Sequence, residues 1–258
     1  MRKKEKVDLI ILLIYPIIAS LISFVTNSNM FFSVLIFFGI PSIFLTLRAK
    51  KYAIKSLIFS FIIGLSLTII IDYIAHFTRS WLVSSMFNFR LLGYIPMEDL
   101  ILGILYIYFI IMFYEYFLDK HVTKRYYNKN IKYLIIFLLI LITLFFSILI
   151  INPSYLNIPY FYLIVGSVMT LLPIIFILLK FPVLISKFFK TTAYFFFLTF
   201  AYEVTALKLG WWSFPGNEFI GWVTFLGTTF PFEELIFWIF LSAMAILSWF
   251  EFFDDDRK

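Results

Sequence analysis

Six carboxylic acids carry most of the chemistry this sequence offers. Asp72 and Glu203 each sit near the end of a long apolar run, and each is followed by a proline and two acids. In the first half these are Pro96, Met97, Glu98, Asp99, and in the second Pro231, Phe232, Glu233, Glu234. A charged carboxylate at the centre of an apolar span costs about 2.5–3.5 kcal/mol even on a lenient insertion scale, so such residues tend to face a protein interior and serve a function. The plainer alternative is capping, because a proline in the first helical turn followed by acids is a common helix start that complements the dipole. The duplication of the whole pattern favours a site. Neighbours on a helix point about 100° apart, so neither Glu98 and Asp99 nor Glu233 and Glu234 can aim at one spot, and pairing is expected across the halves. Several acids in one apolar pocket cannot all ionise, and a carboxyl that keeps its proton is the state a Brønsted acid requires.

The spacing from Asp72 to Trp81 and from Glu203 to Trp212 is nine residues in both cases. An interfacial aromatic belt explains any single tryptophan, but the repeated spacing moves Trp81 and Trp212 toward a pocket wall, where an aromatic face stabilises a cation. Trp211, Phe214, Trp222 and Trp238 cluster in the same part of the second half. His76 lies one helical turn after Asp72 and could shuttle protons with it, yet its counterpart in the second half is Leu207, so the plainer reading is a satisfied polar partner. His121 falls in a basic loop. With no cysteine and no second membrane histidine, a metal centre is not expected. No glycine-rich strand-to-helix fingerprint is present, so a Rossmann-bound flavin or nicotinamide is unsupported and no cofactor is expected.

The elements that must position these groups are membrane helices. The chain is 63% hydrophobic and 14% charged with a mean hydropathy of +0.99, beyond what a water-soluble globule carries. Apolar runs cover Leu9 to Val25, Met30 to Leu47, Ala53 to Phe77, Met97 to Leu118, Tyr133 to Ile151, Ile158 to Leu179, Phe188 to Leu207 and Phe232 to Phe250. Each is long enough for a helical span of about 20 residues. The first follows Arg2, Lys3, Lys4 and Lys6 as a signal peptide would, but Thr26, Asn27, Ser28, Asn29 is no cleavage site, so it is read as a helix. With eight spans, 18 of the 21 Lys and Arg residues fall on one side and only Arg79, Arg90 and Lys208 on the other, which predicts cytoplasmic termini in a cell membrane. The net charge of +6 follows this topology and does not suggest nucleic acid.

The chain also repeats itself. Pro41 and its neighbours Ile40, Ser42, Ile43, Phe44 match Leu172, Pro173, Ile174, Ile175, Phe176 at an offset of 132, and the acid-to-tryptophan and Pro-x-acid-acid patterns recur at 131 and 135. The expected fold is an all-α polytopic membrane protein of about eight transmembrane helices in two parallel four-helix repeats, residues 1–120 and 121–258. An even number of spans per repeat puts the matching motifs on one side of the bilayer.

These motifs resemble the membrane lycopene cyclases built from two related lycopene cyclase domains, in which an acid near a helix end is followed by G-x-W-x-F and then P-x-E-[ED]. Glu203, then Gly210, Trp211, Trp212, Ser213, Phe214, then Pro231, Phe232, Glu233, Glu234 follow that pattern. The first half has Asp72, Trp81 and Pro96, Met97, Glu98, Asp99, but places Arg79 at the glycine and Val83 at the phenylalanine. The likeness covers about three helices in each half, and the leading helix looks like an addition to a seven-span form. The resemblance implies cofactor-independent cyclisation of a linear carotene taken from the lipid phase, with Glu98, Asp99, Glu233 and Glu234 as acid and base. It implies that Asp72 and Glu203 support these carboxyls or touch the polyene end, with Trp81, Trp212, Phe214, Pro96, Pro231 and His76 at the substrate. Membrane lipid, other carotenoid enzymes and further copies of the chain are the partners it implies. Three other readings stay open: a related end-group enzyme such as a C50 cyclase, a carotenoid hydratase, and a non-catalytic isoprenoid-binding protein. Intramembrane glutamate proteases also use paired glutamates, but resemble E-E-x-x-x-R, and Trp238 stands at the arginine position here.

Overall fold

The computed structural model describes residues 3–119 and 131–253. Its spans are α1 (Lys3–Thr26), α2 (Met30–Arg48), α3 (Lys50–Phe77), α4 (Met97–Asp119), α5 (Ile131–Ile151), α6 (Phe161–Lys180) and α7 (Pro182–Leu209). An eighth, α8, is made of Glu234–Phe240 and Ser242–Phe253. The protein is an all-α polytopic bundle, as expected of runs that satisfy every backbone group within one helix. Among the described residues, seven helices are long and apolar enough to cross a membrane singly. The eighth expected span, Phe232 to Phe250, is bent by 52°. Its first part is π-helical and closes with Leu241 N–H donating to Ile236 O at 2.9 Å, a widened turn of the kind that kinks helices. The proposed boundary at 120/121, His121 and the loop basic residues from Lys120 to Lys129 lie outside the described residues, as do Arg2, Arg257 and Lys258.

Features recur in the two halves at the offsets found in the sequence. A π-helical turn, Leu35–Gly39, precedes Pro41 in α2, and Ser167–Leu171 precedes Pro173 in α6. Proline lacks an N–H and its ring clashes with the carbonyl four residues back, and a widened turn absorbs both problems. A short hairpin stands before each acidic pair: β2 (Arg90–Leu91) with β3 (Ile95–Pro96), and β5 (Trp222–Phe225) with β6 (Thr228–Pro231). Each hairpin turns through a Leu-Gly pair with positive φ, Leu92–Gly93 and Leu226–Gly227. Strand β1 (Leu82–Val83) of the first half pairs antiparallel with β4 (Trp212–Ser213) of the second, Leu82 opposite Ser213 and Val83 opposite Trp212. Leu82 and Ser213 are equivalent positions at the offset of 131, so this pair straddles the local two-fold axis and puts both inter-helix loops at one end of the bundle.

Arg79 occupies the place of Gly210 and shares its left-handed backbone, φ 58° against 68°. That conformation strains a residue with a Cβ by about 1–2 kcal/mol. Arg79→Gly is expected to stabilise the protein by about 1 kcal/mol, read as a higher midpoint in thermal unfolding in detergent. An unchanged or lower midpoint would show that the arginine side chain compensates.

Within each half the third and fourth helices pack closely. At Gly64 in α3 a Cβ would lie 3.4 Å from the Ile104 backbone in α4, and at Gly103 it would collide with Thr68, so both positions keep the two helices at near-backbone contact. Helix α1 buries Leu12, Pro16, Ala19 and Ser23 at helical spacing, packs on α7 and exposes Ile10, Ile14, Ile17 and Leu21 on a face suited to lipid. Its polar atoms are used: Thr205 Oγ1–H donates to Ser20 Oγ at 3.0 Å, and Tyr194 O–H to the Leu12 carbonyl at 3.2 Å. At the end of the bundle remote from the strands, charged groups pair. Arg48 is 2.9 Å from Asp8, which also accepts Tyr116 O–H at 2.6 Å, and Lys55 is 2.8 Å from Glu115.

Candidate functional site

The fold gathers four of the six acids around one cavity of about 230 Å³. Asp72 closes α3, Asp99 opens α4, Glu203 lies near the end of α7 and Glu234 opens α8, so each half supplies two acids from two adjacent helices. Asp72, Asp99 and Glu203 are buried, while Glu234 is partly so. The acids of the two halves thus meet around one cavity. The close contact of α3 with α4 at Gly64 and Gly103 brings Asp72 and Asp99 to the same chamber. Tyr162 also lines it, so the acids of both halves border one chamber.

Glu98 and Glu233, expected among the catalytic acids, do not border the cavity. Both are buried and accept hydrogen bonds from the loops that precede their helices. Glu98 Oε1 accepts Met86 N–H at 2.7 Å and Ser85 Oγ–H donates to both of its oxygens, and Glu233 Oε1 accepts Ile220 N–H at 2.7 Å. The turn of 100° between neighbours sends one acid of each pair into the chamber and the other to the loop. Loop anchoring and site chemistry are thus divided between adjacent residues.

The tryptophans with repeated spacing do line the chamber, their rings meeting edge to face at 5.9 Å between centroids. Trp212 Nε1–H donates to Glu203 Oε1 at 3.0 Å. In the first half the acid is an aspartate, one methylene shorter, and Trp81 Nε1–H has no partner among the described residues. His76 does not touch the cavity. Its Nδ1–H donates to the Asp72 carbonyl at 2.8 Å, its Nε2 lies 3.9 Å from Asp99 Oδ2, and its ring packs against Trp81 at 5.5 Å, so it stands behind Asp99. Pro96 and Pro231 are strand residues opposite Arg90 and Trp222, and Phe214 packs against Tyr162 and Phe219, so none of the three reaches the chamber. Trp211 anchors its loop by donating to the Ser28 carbonyl at 2.8 Å, and Trp222 is exposed.

No protein-family model, curated protein or solved structure matches the chain.

Below the acids the chamber continues between apolar walls to Gly64 on α3 and Ile107 on α4. Each lies eight residues from its acid, about 12 Å along the helix axis. Sequence reasoning did not single out Tyr106, Tyr162 or Tyr202, which also line the chamber. Tyr106 was accessible in principle, since it lies seven residues after Asp99 and so on the same helical face. Trp238 and Ser242 follow Glu234 at the same kind of spacing, by four and eight residues.

Proposed function

We propose that the chain is a carotenoid end-group enzyme that cyclises a linear lycopene-type ψ-end to a β-ionone ring without a cofactor. The observation that carries this reading is the placing of four acids from both halves at one end of a single apolar, aromatic-walled cavity. A dry cavity of about 150 Å³ holds a benzene-sized guest. At 230 Å³ this one suits a single terpenoid end group and not a whole polyene, whose remainder would extend away along the apolar walls.

In the proposed reaction a protonated carboxyl gives its proton to the terminal double bond, leaving a tertiary carbocation. The internal double bond attacks that centre and closes a six-membered ring, and a carboxylate removes a proton to set the ring double bond. No electrons are gained or lost overall. Asp72, Asp99, Glu203 and Glu234 are the candidate acid and base, and the faces of Trp81 and Trp212 would stabilise the cation. The charge bias of the loops supports an orientation with the basic end cytoplasmic and the acid chamber near the outer leaflet.

Expression in a lycopene-accumulating host tests this. The pigment is expected to convert to an isomer of unchanged mass, carrying one solvent-derived deuterium per new ring in deuterated medium. Unchanged lycopene alongside well-inserted protein would overturn the reading.

A further inference from the structure

The fold satisfies its buried tyrosine and indole groups almost everywhere except at this chamber. Trp211, Trp212 and Trp249 all donate their indole N–H, to Ser28 O, Glu203 and Met169 O. Tyr15, Tyr106, Tyr114, Tyr116 and Tyr194 all have hydroxyl partners. Among the described residues, the indole N–H groups left without a partner while buried are those of Trp81 and Trp238, and the phenol is that of Tyr202. All three residues line the chamber. Both oxygens of Asp99, which is 2% exposed and also lines it, lack a hydrogen-bond partner too.

An indole N–H can only donate, so it needs an acceptor, and a hydrocarbon guest offers none. A wholly hydrocarbon ligand would leave these groups unmet, which is rare for buried polar atoms in native proteins. We infer that the acid end of the chamber binds oxygen: hydroxyl groups that accept from Trp81, Trp238 and Tyr202 and donate to Asp99. This inference rests on the chamber being an isoprenoid site, as proposed above. The hydroxyl belongs either to the isoprenoid itself, as a terminal alcohol, or to water admitted with it. In the second case the water oxygen bonds to the tertiary carbon of the protonated end, and its released proton returns to the carboxylate that acted as acid. The result is net addition of water with no oxidant, in place of ring closure at that end.

The test uses the full chain in lipid nanodiscs and reads quenching of tryptophan fluorescence. The probes are a linear C20 isoprenoid alcohol and the hydrocarbon of the same skeleton with a methyl in place of the CH2OH group. The alcohol is expected to bind about tenfold tighter or more. Tyr202→Phe, which removes only the hydroxyl, should shrink that margin, and Trp81→Phe with Trp238→Phe should erase it. In parallel, lycopene-producing cells expressing the protein are grown in 18O-labelled water. Label in the pigment, with a mass gain of one water per end, assigns the oxygen to water and supports the inference even if the two probes bind alike. Equal binding with no label in the pigment overturns the inference and leaves the isoprenoid site standing. If neither probe binds, the site assignment falls with it.

Discussion

Asp99→Asn and Glu234→Gln are each expected to lower ring formation from lycopene by about 100-fold or more, whereas Glu98→Gln and Glu233→Gln should keep it within a few-fold. A positioned acid or base contributes about 10²–10⁴-fold to a proton-transfer step, and an amide of the same shape cannot supply that proton. The contrast follows from where the side chains go. Asp99 and Glu234 border the cavity, while Glu98 and Glu233 accept backbone N–H groups from the loops above. A glutamine keeps one carbonyl oxygen for that N–H, so the loop stays tied down and the loss is in stability, about 1 kcal/mol. The measurement is pigment composition by chromatography, normalised to the amount of membrane-inserted protein. Equal losses at all four positions would show that the neighbours act as a unit and would undo the division of labour described here.

Arg48→Met is expected to destabilise the protein by about 3 kcal/mol, and adding Asp8→Asn should recover most of that loss. Asp8 on α1 is fully buried and is held by Arg48 on α2 at 2.9 Å and by Tyr116 on α4 at 2.6 Å. Removing one member of a buried pair leaves an uncompensated charge, for which about 3–5 kcal/mol is typical, and the one-third exposure of the Arg48 side chain puts this case at the low end. Neutralising both members removes that penalty. Thermal midpoints of the two single variants, the double variant and the parent complete the cycle. If the double variant were as unstable as Arg48→Met alone, lost packing and not charge would be responsible. Because Asp8 is a charged tie of α1 to α2 and α4, proteolysis in the α1–α2 connection should also quicken in Arg48→Met.

The helices were legible because lipid leaves a chain few options: runs of about 20 apolar residues must be helices, and six of the eight apolar runs fall within the spans observed, while Ile158 to Leu179 and Phe232 to Phe250 begin slightly ahead of helices that start at Phe161 and Glu234. The repeat was legible from Pro41 and Pro173 and from the acids, whose spacing survives within a few residues. Other features were not. That Glu98 and Asp99 diverge follows from helix geometry, but which of them faces inward depends on how α4 is rotated against α3, a property of packing at Gly64 and Gly103. The strands were missed because two to four residues leave no period to detect, and the β1–β4 pair joins residues more than 120 positions apart. Tyr202 was missed because its position just before Glu203 says nothing about its facing the chamber until α7 is packed. The bend in α8 reflects a π-helical turn with no proline to announce it.

The strand pair across the local two-fold sets Leu82 beside its own counterpart, Ser213. Two identical subunits meeting in this way would be obliged to carry the same residue at every equivalent place, and their two acid pairs would then be interchangeable. A single chain is released from that obligation. Here one side holds an aspartate backed by histidine and the other a longer glutamate bound to its tryptophan, so the tandem arrangement lets the two acid pairs differ in surroundings and in character.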